Sequence, residues 1–298
     1  MYSARVGRLT QSSYIGRFAP SPSGALHFGS LITALGSYLQ AKSQQGKWLV
    51  RIEDIDPPRE VTGAATDILK TLEIYHLFWD GDVLYQHTRL KQYQQQIDHW
   101  LAQNKAYYCQ CRRKDIKAMG GIYTGKCRHL NLSPQDAAMR IHLSTPTNTF
   151  MDKRLGLIHT PNALAQEDFI IKRRDHLFAY NLAVVLDDIY QGVTEVVRGT
   201  DLLSITCQQI GLYKELGATP ISYLHLPLAL QEQGLKYSKQ NHAPALSKNA
   251  VIPTLVKALG FLGIETCCQN FSQVDDLLTW AVSVWDIKKL PNSSKIVC

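Results

Sequence analysis

Two closely spaced prolines near the start of the chain constrain its fold more than any other sequence feature. Residues 14–18 form a short apolar run typical of a buried strand, but Pro20 and Pro22 fix φ and lack an amide hydrogen, so a loop must follow the strand. Apolar residues then recur at helical spacing from 27 to 39, and a second β-rich run covers 48–52. The segment predicts one βαβ unit with a right-handed crossover.

Strand and helix patterns alternate through most of the remaining chain. Of the 298 residues of the whole chain, 45% are hydrophobic, which is enough to bury a sizeable core. This alternation predicts an α/β fold. We expect the patterns between 169 and 226 to form the second half of the sheet, and a polar tail to end the chain. The segments with strand or helix periodicity are 68–75, 90–101, 169–171, 182–186, 195–197, 223–226, 252–262 and 274–285.

One segment, beginning at about residue 105, interrupts the alternation and contains three cysteines, Gly120-Gly121 and three prolines. Its apolar runs are short, so we interpret it as an insertion with its own small fold. Three cysteines within nineteen positions favour a metal site over disulfides in a reducing compartment. Three thiolates need a fourth ligand for tetrahedral zinc, and chemistry alone favours the imidazole of His129 over a phenolate. The cysteines are Cys109, Cys111 and Cys127, and the candidates for the fourth ligand are Tyr123, His129 and His142.

The net charge of +7 and the pI near 9.0 favour a polyanionic partner, although an excess of this size is weak evidence by itself. No apolar segment resembles a signal peptide or is long enough to span a membrane. We therefore expect a cytoplasmic protein that does not bind membranes.

The segment 17–30 is a candidate phosphate site, because it lies where the first strand gives way to a helix. A helix start presents unpaired N–H groups and the positive end of its dipole to a phosphate. Gly29 would let a nucleotide approach the backbone, and His27 could donate to a phosphate oxygen as charge develops. A lone His-x-Gly would indicate no more than a turn with a buried histidine.

Pro-Ser-Pro-Ser-Gly followed by His-Phe-Gly-Ser is similar to the His-Ile-Gly-His signature of class I aminoacyl-tRNA synthetases, in the variant of the glutamyl and glutaminyl enzymes. Phe28 and Ser30 are departures from that signature. Lys-Tyr-Ser-Lys-Gln at 236–240 resembles the second class I signature, Lys-Met-Ser-Lys-Ser, whose lysine neutralises charge on the phosphates. The resemblance implies catalytic roles for His27 and Lys239. The ATP-binding residues that it implies are His27, Gly29, Ser30, Lys236, Ser238 and Lys239.

Glutamate carries one ammonium and two carboxylates, so its site needs an anion near the first and cations or hydroxyls near the others. The resemblance to glutamyl-type synthetases implies that Arg198 favours glutamate over glutamine, since it offers a cation to the side-chain carboxylate. Which arginine holds which carboxylate stays open. The glutamate-binding residues implied are Arg17, Phe18, Ala19, Pro20, Ser21, Glu53, Tyr180 and Arg198.

Two further stretches match the same family. Asp201 with Thr206 and Gln209 resembles a Gly-x-Asp…Thr-x-x-Gln stretch, and we interpret Asp201 first as a helix N-cap and second as a contact to nucleic acid or ATP. The arrangement Cys-x-Cys…Tyr-x-x-x-Cys is found in the shortened glutamyl-type enzymes, which favours Tyr123 as the fourth zinc ligand. The resemblance thus implies a structural zinc bound by Cys109, Cys111, Tyr123 and Cys127.

The resemblance implies a Rossmann-like class I catalytic domain with a small zinc-containing insertion and a short C-terminal helical region. Only about sixty residues follow Lys239, so we expect no anticodon-binding domain. The predicted division is a flexible extension (1–13), the first half of the catalytic domain (14–104), the insertion (105–168), the second half (169–233), and the lysine loop with C-terminal helices (234–298).

Shortened enzymes of this family activate L-glutamate with ATP and Mg²⁺ without tRNA, and transfer it to queuosine at the wobble position of tRNA(Asp). The resemblance implies the same activity and partners here, and we expect a monomer. The alternatives are a truncated enzyme that charges tRNA(Glu), a non-catalytic zinc-containing tRNA-binding protein, and another nucleotidyltransferase with a His-x-Gly-His motif. Intact His27 and Lys239 argue against the binding protein.

Overall fold

A parallel β-sheet organises the chain in a computed structural model that describes residues 14–230, 243–266 and 269–297. The helices are α1 (Phe28–Ser43), α2 (Ala64–Ile74), α3 (Leu90–Ala102), α4 (Arg113–Ala118), α5 (Asn162–Ala165), α6 (Tyr180–Tyr190), α7 (Thr206–Glu215), α8 (Val251–Phe261) and α9 (Val274–Val284). The strands are β1 (Ile15–Phe18), β2 (Lys47–Ile52), β3 (Leu84–Tyr85), β4 (Ala106–Cys109), β5 (Ala138–Ile141), β6 (Thr149–Asp152), β7 (Gly156–His159), β8 (Ile170–Lys172), β9 (Glu195–Gly199), β10 (Ser222–Leu226), β11 (Leu228–Leu230) and β12 (Lys295–Val297). The predicted extension 1–13 and the lysine loop with Lys236, Ser238 and Lys239 lie outside the described residues.

The predicted βαβ unit is confirmed, because β1 and β2 pair in parallel on either side of α1. β3 continues this three-stranded sheet beyond β2. A four-stranded sheet adjoins it with β9 beside β1, where the amide of Thr194 donates to the carbonyl of Ile15 at 2.9 Å. β10 and β6 follow in parallel beyond β9, and β7 closes that edge as an antiparallel strand. The winding therefore reverses between β1 and β9, and ligands of open α/β sheets bind at such a reversal.

The main core lies between α1 and the sheet. Apolar residues of α1 at helical spacing, including Leu31 and Leu35, are buried against Trp48 and Val50 of β2 and against β10. Each such side chain contributes roughly 1.5–3 kcal/mol by leaving water. Gly36 lets the helix approach closely, since a Cβ there would lie 2.6 Å from the Leu226 Cδ1 atom. This packing holds the N-terminus of α1 beside the ends of β1 and β9.

A second, antiparallel sheet has the strand order β4-β5-β8. The strand expected near 170 exists as β8, but the prediction that it belongs to the central sheet is wrong. The backbone of β8 pairs with β5 instead. Conversely, the β6–β7 hairpin lies within the predicted insertion but pairs with β10 through Asp152 and Tyr223. The division of the chain into domains stays a prediction.

The end of the chain is also tied to the core. β12 pairs in parallel with β11, although the sequence predicted only a polar tail there. Arg154 stabilises this arrangement, because its Nη1 atom donates to the carbonyl of Pro291 at 2.7 Å. Within the described ranges, none of the helices has the length and apolarity needed to cross a bilayer.

Candidate active site

Two adjoining cavities open at the carboxyl ends of β1, β2 and β9. The first, of about 230 Å³, lies at the winding reversal, and the second, of about 370 Å³, lies beside it, with Tyr180 lining both. Pro20 contributes a carbonyl that accepts from the Glu53 amide at 3.0 Å. The structure thus brings together residues that are far apart in the sequence. Predicted residues that line the first cavity are Arg17, Phe18, Ala19, His27, Gly29, Ser30, Tyr180 and Arg198, and those that line the second are Ser21, Glu53 and Tyr180.

His27 is the N-cap of α1. Its Nδ1 atom accepts from the Ser30 amide at 3.2 Å, and the Ser30 hydroxyl accepts from the His27 amide at 3.2 Å, which completes a capping box. Since Nδ1 is an acceptor, the proton of the neutral ring resides on Nε2. His27 is therefore both a helix cap and a donor held at the first cavity.

The loop between β1 and α1 is hydrogen-bonded to the segment that follows β2. Gly24 has φ 134°, which residues with a Cβ rarely adopt, so the turn into the helix depends on glycine. The amide of Val61 donates to the Pro22 carbonyl at 2.9 Å. These bonds hold the loop between the two cavities.

Arg17 is nearly fully buried and pairs with Asp188 of α6. Asp188 accepts from Arg17 Nε at 3.1 Å and from Arg51 Nη1 at 2.8 Å. Burial disfavours the Asp188 carboxylate, but the two guanidinium groups outweigh burial and lower its pKa. Asp188 thus orients Arg17 at the cavity and neutralises part of its charge.

Sequence reasoning missed Arg51 and Asp188 as members of the site. The available signal was an arginine within the apolar run 48–52, which requires a buried partner, and an acidic pair, Asp187-Asp188, within the apolar helix α6. The pairing itself joins residues 137 positions apart.

Glu53 is a buried carboxylate with little compensation. Its Oε1 atom lies 3.5 Å from Arg51 Nη2, and this oxygen accepts no hydrogen bond from the described part of the chain. Burial raises the pKa of Glu53 to about 7 in spite of Arg51 and Arg17. A carboxylate of this kind at a cavity wall is suited to an ammonium group of a ligand.

Glu53→Gln should make the protein more stable at pH 8 and weaken the binding of a ligand that carries an ammonium group. Between 4.5, the ordinary pKa, and about 7, the folded protein retains a proton that the unfolded chain releases, so rising pH lowers stability through this group. The substitution should raise the free energy of unfolding at pH 8 by up to about 3 kcal/mol, and the gain should shrink towards pH 4.5. Denaturant titrations at both pH values measure this difference.

The matched control for this prediction is Glu73→Gln, which changes an exposed carboxylate on α2 that lines neither cavity. It should leave both the free energy of unfolding and ligand binding unchanged, whereas Glu53→Gln should weaken the binding of an ammonium-bearing ligand roughly tenfold or more. A loss of stability in Glu53→Gln at pH 8 would contradict the assignment of Glu53 as an undercompensated carboxylate.

Arg198 ends β9 and is 4% exposed. It donates to four neutral acceptors, and no carboxylate in the described ranges pairs with it. Its charge is therefore free to attract a carboxylate at the first cavity. The acceptors are His225 Nε2 at 3.1 Å, Gln209 Oε1 at 2.7 Å, Thr206 Oγ1 at 2.8 Å and the Leu202 carbonyl at 3.4 Å.

The sequence predicted that Asp201 is a helix N-cap, and this prediction is wrong. Asp201 lies inside a 3-10 helix (Thr200–Ile205) whose N-cap is Gly199. Asp201 lines the first cavity instead. Its family partners Thr206 and Gln209 both accept from Arg198, so the matched stretch supports the guanidinium.

The three cysteines of the predicted metal site lie together, with all three sulfurs within 4.8 Å of one another. The Sγ atoms of Cys111 and Cys127 are 3.5 Å apart, and tetrahedral zinc places its sulfur ligands about 3.8 Å apart. The phenol oxygen of Tyr123 accepts from the Cys127 amide at 2.7 Å, and its ring packs in one buried cluster with Cys109 and Cys127. These donors fit a tetrahedral zinc ion.

Neither histidine candidate joins the cysteines in the described part of the chain. His129 is exposed, and His142 Nδ1 lies 2.9 Å from the Asp168 carboxylate. Tyr123 is 2% exposed and is covered by Arg140, whose guanidinium lies 3.8 Å from its ring centre. The position of Tyr123 therefore supports it as the fourth ligand.

Metal removal should loosen the segment around the cysteines before the central sheet, because few apolar residues hold that segment together. Cys127→Ser should lose most of the bound zinc and its amide protection between β4 and β5. Cys207→Ser, which changes a buried thiol outside the cluster, is the control and should retain both. Zinc analysis with hydrogen exchange compares them, and equal zinc content in the two variants would exclude the site.

Comparison with known proteins agrees with this architecture. The sequence profile of tRNA synthetases class I (E and Q), catalytic domain, matches residues 15–262. In solved structures, the chain resembles a glutamate-tRNA synthetase from Elizabethkingia anophelis with a TM-score of 0.78 at 20% identity, covering 95% of this chain and 68% of that one. This similarity shows the class I catalytic fold.

Three relatives are similar along nearly their whole length, and each is named glutamyl-Q tRNA(Asp) synthetase. The one from Photobacterium profundum is 58% identical, over 97% of this chain and 93% of its own. Those from Vibrio vulnificus and Escherichia coli O6:H1 are 59% and 56% identical, covering 95% and 93% of the relatives. The chain is an α/β ligase of class I and belongs to the glutamyl-Q tRNA(Asp) synthetase family.

Proposed function

We propose that this protein activates L-glutamate with ATP, without tRNA, and transfers the glutamyl group to the queuosine base at the wobble position of tRNA(Asp). The observation that carries this proposal is the charge pattern of the cavity walls. An arginine without an acidic partner in the described residues, Arg198, and an undercompensated carboxylate, Glu53, stand on either side of Tyr180. This pattern complements the carboxylates and the ammonium of glutamate.

ATP is proposed to bind where α1 begins. The first backbone amides of α1, together with Nε2 of His27, supply donors for phosphate oxygens, and Gly29 and Ser30 line the same wall. Lys236, Ser238 and Lys239 complete the proposed ATP site from the loop outside the described residues. When bound with ATP, Mg²⁺ supplies charge neutralisation on the phosphates.

The first proposed step joins glutamate to AMP. An oxygen of the glutamate α-carboxylate attacks the α-phosphorus, the bond to the bridging oxygen breaks, and pyrophosphate leaves. We assign to His27 and Lys239 the stabilisation of charge that moves onto the phosphates. No side chain needs to act as a nucleophile, because positioning and electrostatics supply the acceleration.

The second proposed step releases AMP. A hydroxyl of the queuosine cyclopentene ring attacks the carbonyl carbon of the mixed anhydride, loses its proton, and forms an ester as AMP departs. The second cavity adjoins the proposed glutamate site through Tyr180 and offers a route for that hydroxyl. All of these residues belong to one chain, so we propose that a monomer suffices, working in the cytoplasm where tRNA and ATP are available.

Zinc is proposed to be structural. It would be held by Cys109, Cys111, Tyr123 and Cys127, and it would order the segment between β4 and β5 rather than take part in the reaction.

The test is ATP–pyrophosphate exchange with glutamate, glutamine and aspartate in the absence of tRNA. Transfer of labelled glutamate to tRNA(Asp) with and without queuosine follows, with tRNA(Glu) alongside. We expect glutamate-dependent exchange and queuosine-dependent transfer. Transfer to tRNA(Glu) alone would show a truncated glutamyl-tRNA synthetase, and no exchange with any amino acid would overturn the enzymatic proposal.

A further inference from the structure

The guanidinium of Arg198 stands at the end of a buried chain of hydrogen bonds that runs across three strands. His225 of β10 is the parallel-register partner of Arg198 in β9, and Asp152 ends β6 on the far side of β10. The side chains of Asp152 and His225 are both 0% exposed. Neither residue lines the two cavities, but His225 contacts Arg198, which lines the first of them.

Asp152 is held in place from four directions. Its Oδ1 atom accepts from the amides of Arg154 and Leu155 at 3.0 and 2.9 Å, and its Oδ2 atom accepts from the amide of His225 at 3.0 Å. Oδ2 also lies 2.7 Å from Nδ1 of His225. Burial opposes the Asp152 charge, but these hydrogen bonds outweigh burial and lower its pKa.

The hydrogen bonds determine the tautomer of His225. Arg198 Nε can only donate, and it lies 3.1 Å from His225 Nε2, so Nε2 must be unprotonated. The ring proton therefore resides on Nδ1 and is donated to Asp152. Burial, reinforced by the charge of Arg198, lowers the pKa of His225 in spite of Asp152, which agrees with a neutral ring.

We infer that Asp152 and His225 are positioning residues for amino-acid selection, which aim the Arg198 guanidinium at the substrate carboxylate while leaving its positive charge uncompensated. A carboxylate placed directly against Arg198 would orient it equally well but would cancel the charge that glutamate needs. A neutral imidazole orients the planar guanidinium of Arg198 without cancelling its charge, and Asp152 keeps the imidazole in the required tautomer. This inference rests on the proposed use of Arg198 in binding glutamate.

The kinetic test compares His225→Leu, His225→Gln and Asp152→Asn by ATP–pyrophosphate exchange. His225→Leu removes the acceptor for Arg198 Nε and should raise glutamate KM roughly tenfold, with ATP KM and kcat changed less than about twofold. The preference for glutamate over glutamine should fall by a similar factor. His225→Gln should restore most of the loss, because its side-chain oxygen is as many bonds from Cβ as Nε2. Asp152→Asn should lie between them.

If His225 had a purely structural role, His225→Leu would lower exchange with glutamate, with glutamine and at all ATP concentrations together, and His225→Gln would not restore it. That outcome would overturn the inference. Wild-type protein without glutamate-dependent exchange would instead overturn the proposed function. The ¹⁵N spectrum of His225 in the wild-type protein tests the relay without any variant. We expect a protonated Nδ1 and an unprotonated Nε2 at pH 7.5, and an imidazolium or the opposite tautomer would refute the relay.

Discussion

Arg198→Met should lower kcat/KM for glutamate on the order of 100-fold, about 3 kcal/mol, because Arg198 is the one arginine on the described wall of the first cavity that has no acidic partner there. Methionine fills a similar volume, so the core around Tyr223 should stay packed. Most of the loss should appear in glutamate KM, since the carboxylate is bound in both the ground and transition states. ATP–pyrophosphate exchange over a range of glutamate concentrations measures it.

Two controls sharpen this prediction. Arg198→Lys retains the positive charge but loses the planar guanidinium that donates to Thr206, Gln209 and His225. Its loss of kcat/KM for glutamate should be intermediate. Arg89→Met removes another largely buried arginine, which pairs with Asp187 at 2.9 Å outside both cavities. Arg89→Met should reduce stability without changing glutamate KM. If both methionine variants lost the same activity, Arg198 would have no specific role in binding.

His27→Asn should lower kcat for exchange by roughly 100- to 1,000-fold while leaving the fold almost as stable as before. Asparagine is a good N-cap, so it can replace Nδ1 as the acceptor for the Ser30 amide. It cannot reach the phosphate with a donor in the position of Nε2. The loss should therefore fall on kcat, where developing phosphate charge is stabilised.

His27→Ala separates the two roles of this side chain. It should share the loss in kcat and should also cost about 1 kcal/mol of stability, because the α1 cap is gone. Thermal unfolding and exchange kinetics, measured on the same preparations, compare the variants. Wild-type kcat in His27→Asn would show that the imidazole is only a cap.

The local patterns in the sequence were strong guides to individual elements. The predicted βαβ unit and the helices at 68–75, 90–101, 252–262 and 274–285 correspond to elements of the structure, since apolar periodicity reports which face of an element is buried. The cysteine cluster was also predictable, because close spacing in a segment poor in apolar residues leaves few other ways to order it. The roles assigned to site residues stay predictions.

The sequence predicted the pairing between strands less well than it predicted the individual strands and helices. A strand was expected near 170, and it exists as β8, but its periodicity could not indicate whether β5 or the central sheet would satisfy its backbone. Likewise nothing in the polar end of the chain indicated that 295–297 would pair with β11. A strand pattern records burial, whereas its partner depends on the whole topology.

The sequence by itself determined the family, the βαβ frame and the side chains available at the phosphate site, because these depend on short motifs and on the spacing of neighbours along the chain. Only the tertiary structure decided how the charged groups are compensated. Asp188 reaches Arg17 and Arg51 across more than 130 positions, and His225 and Asp152 meet Arg198 through strand register. The free energy of a buried charge depends on what surrounds it in space, and that is known only when distant strands are packed together.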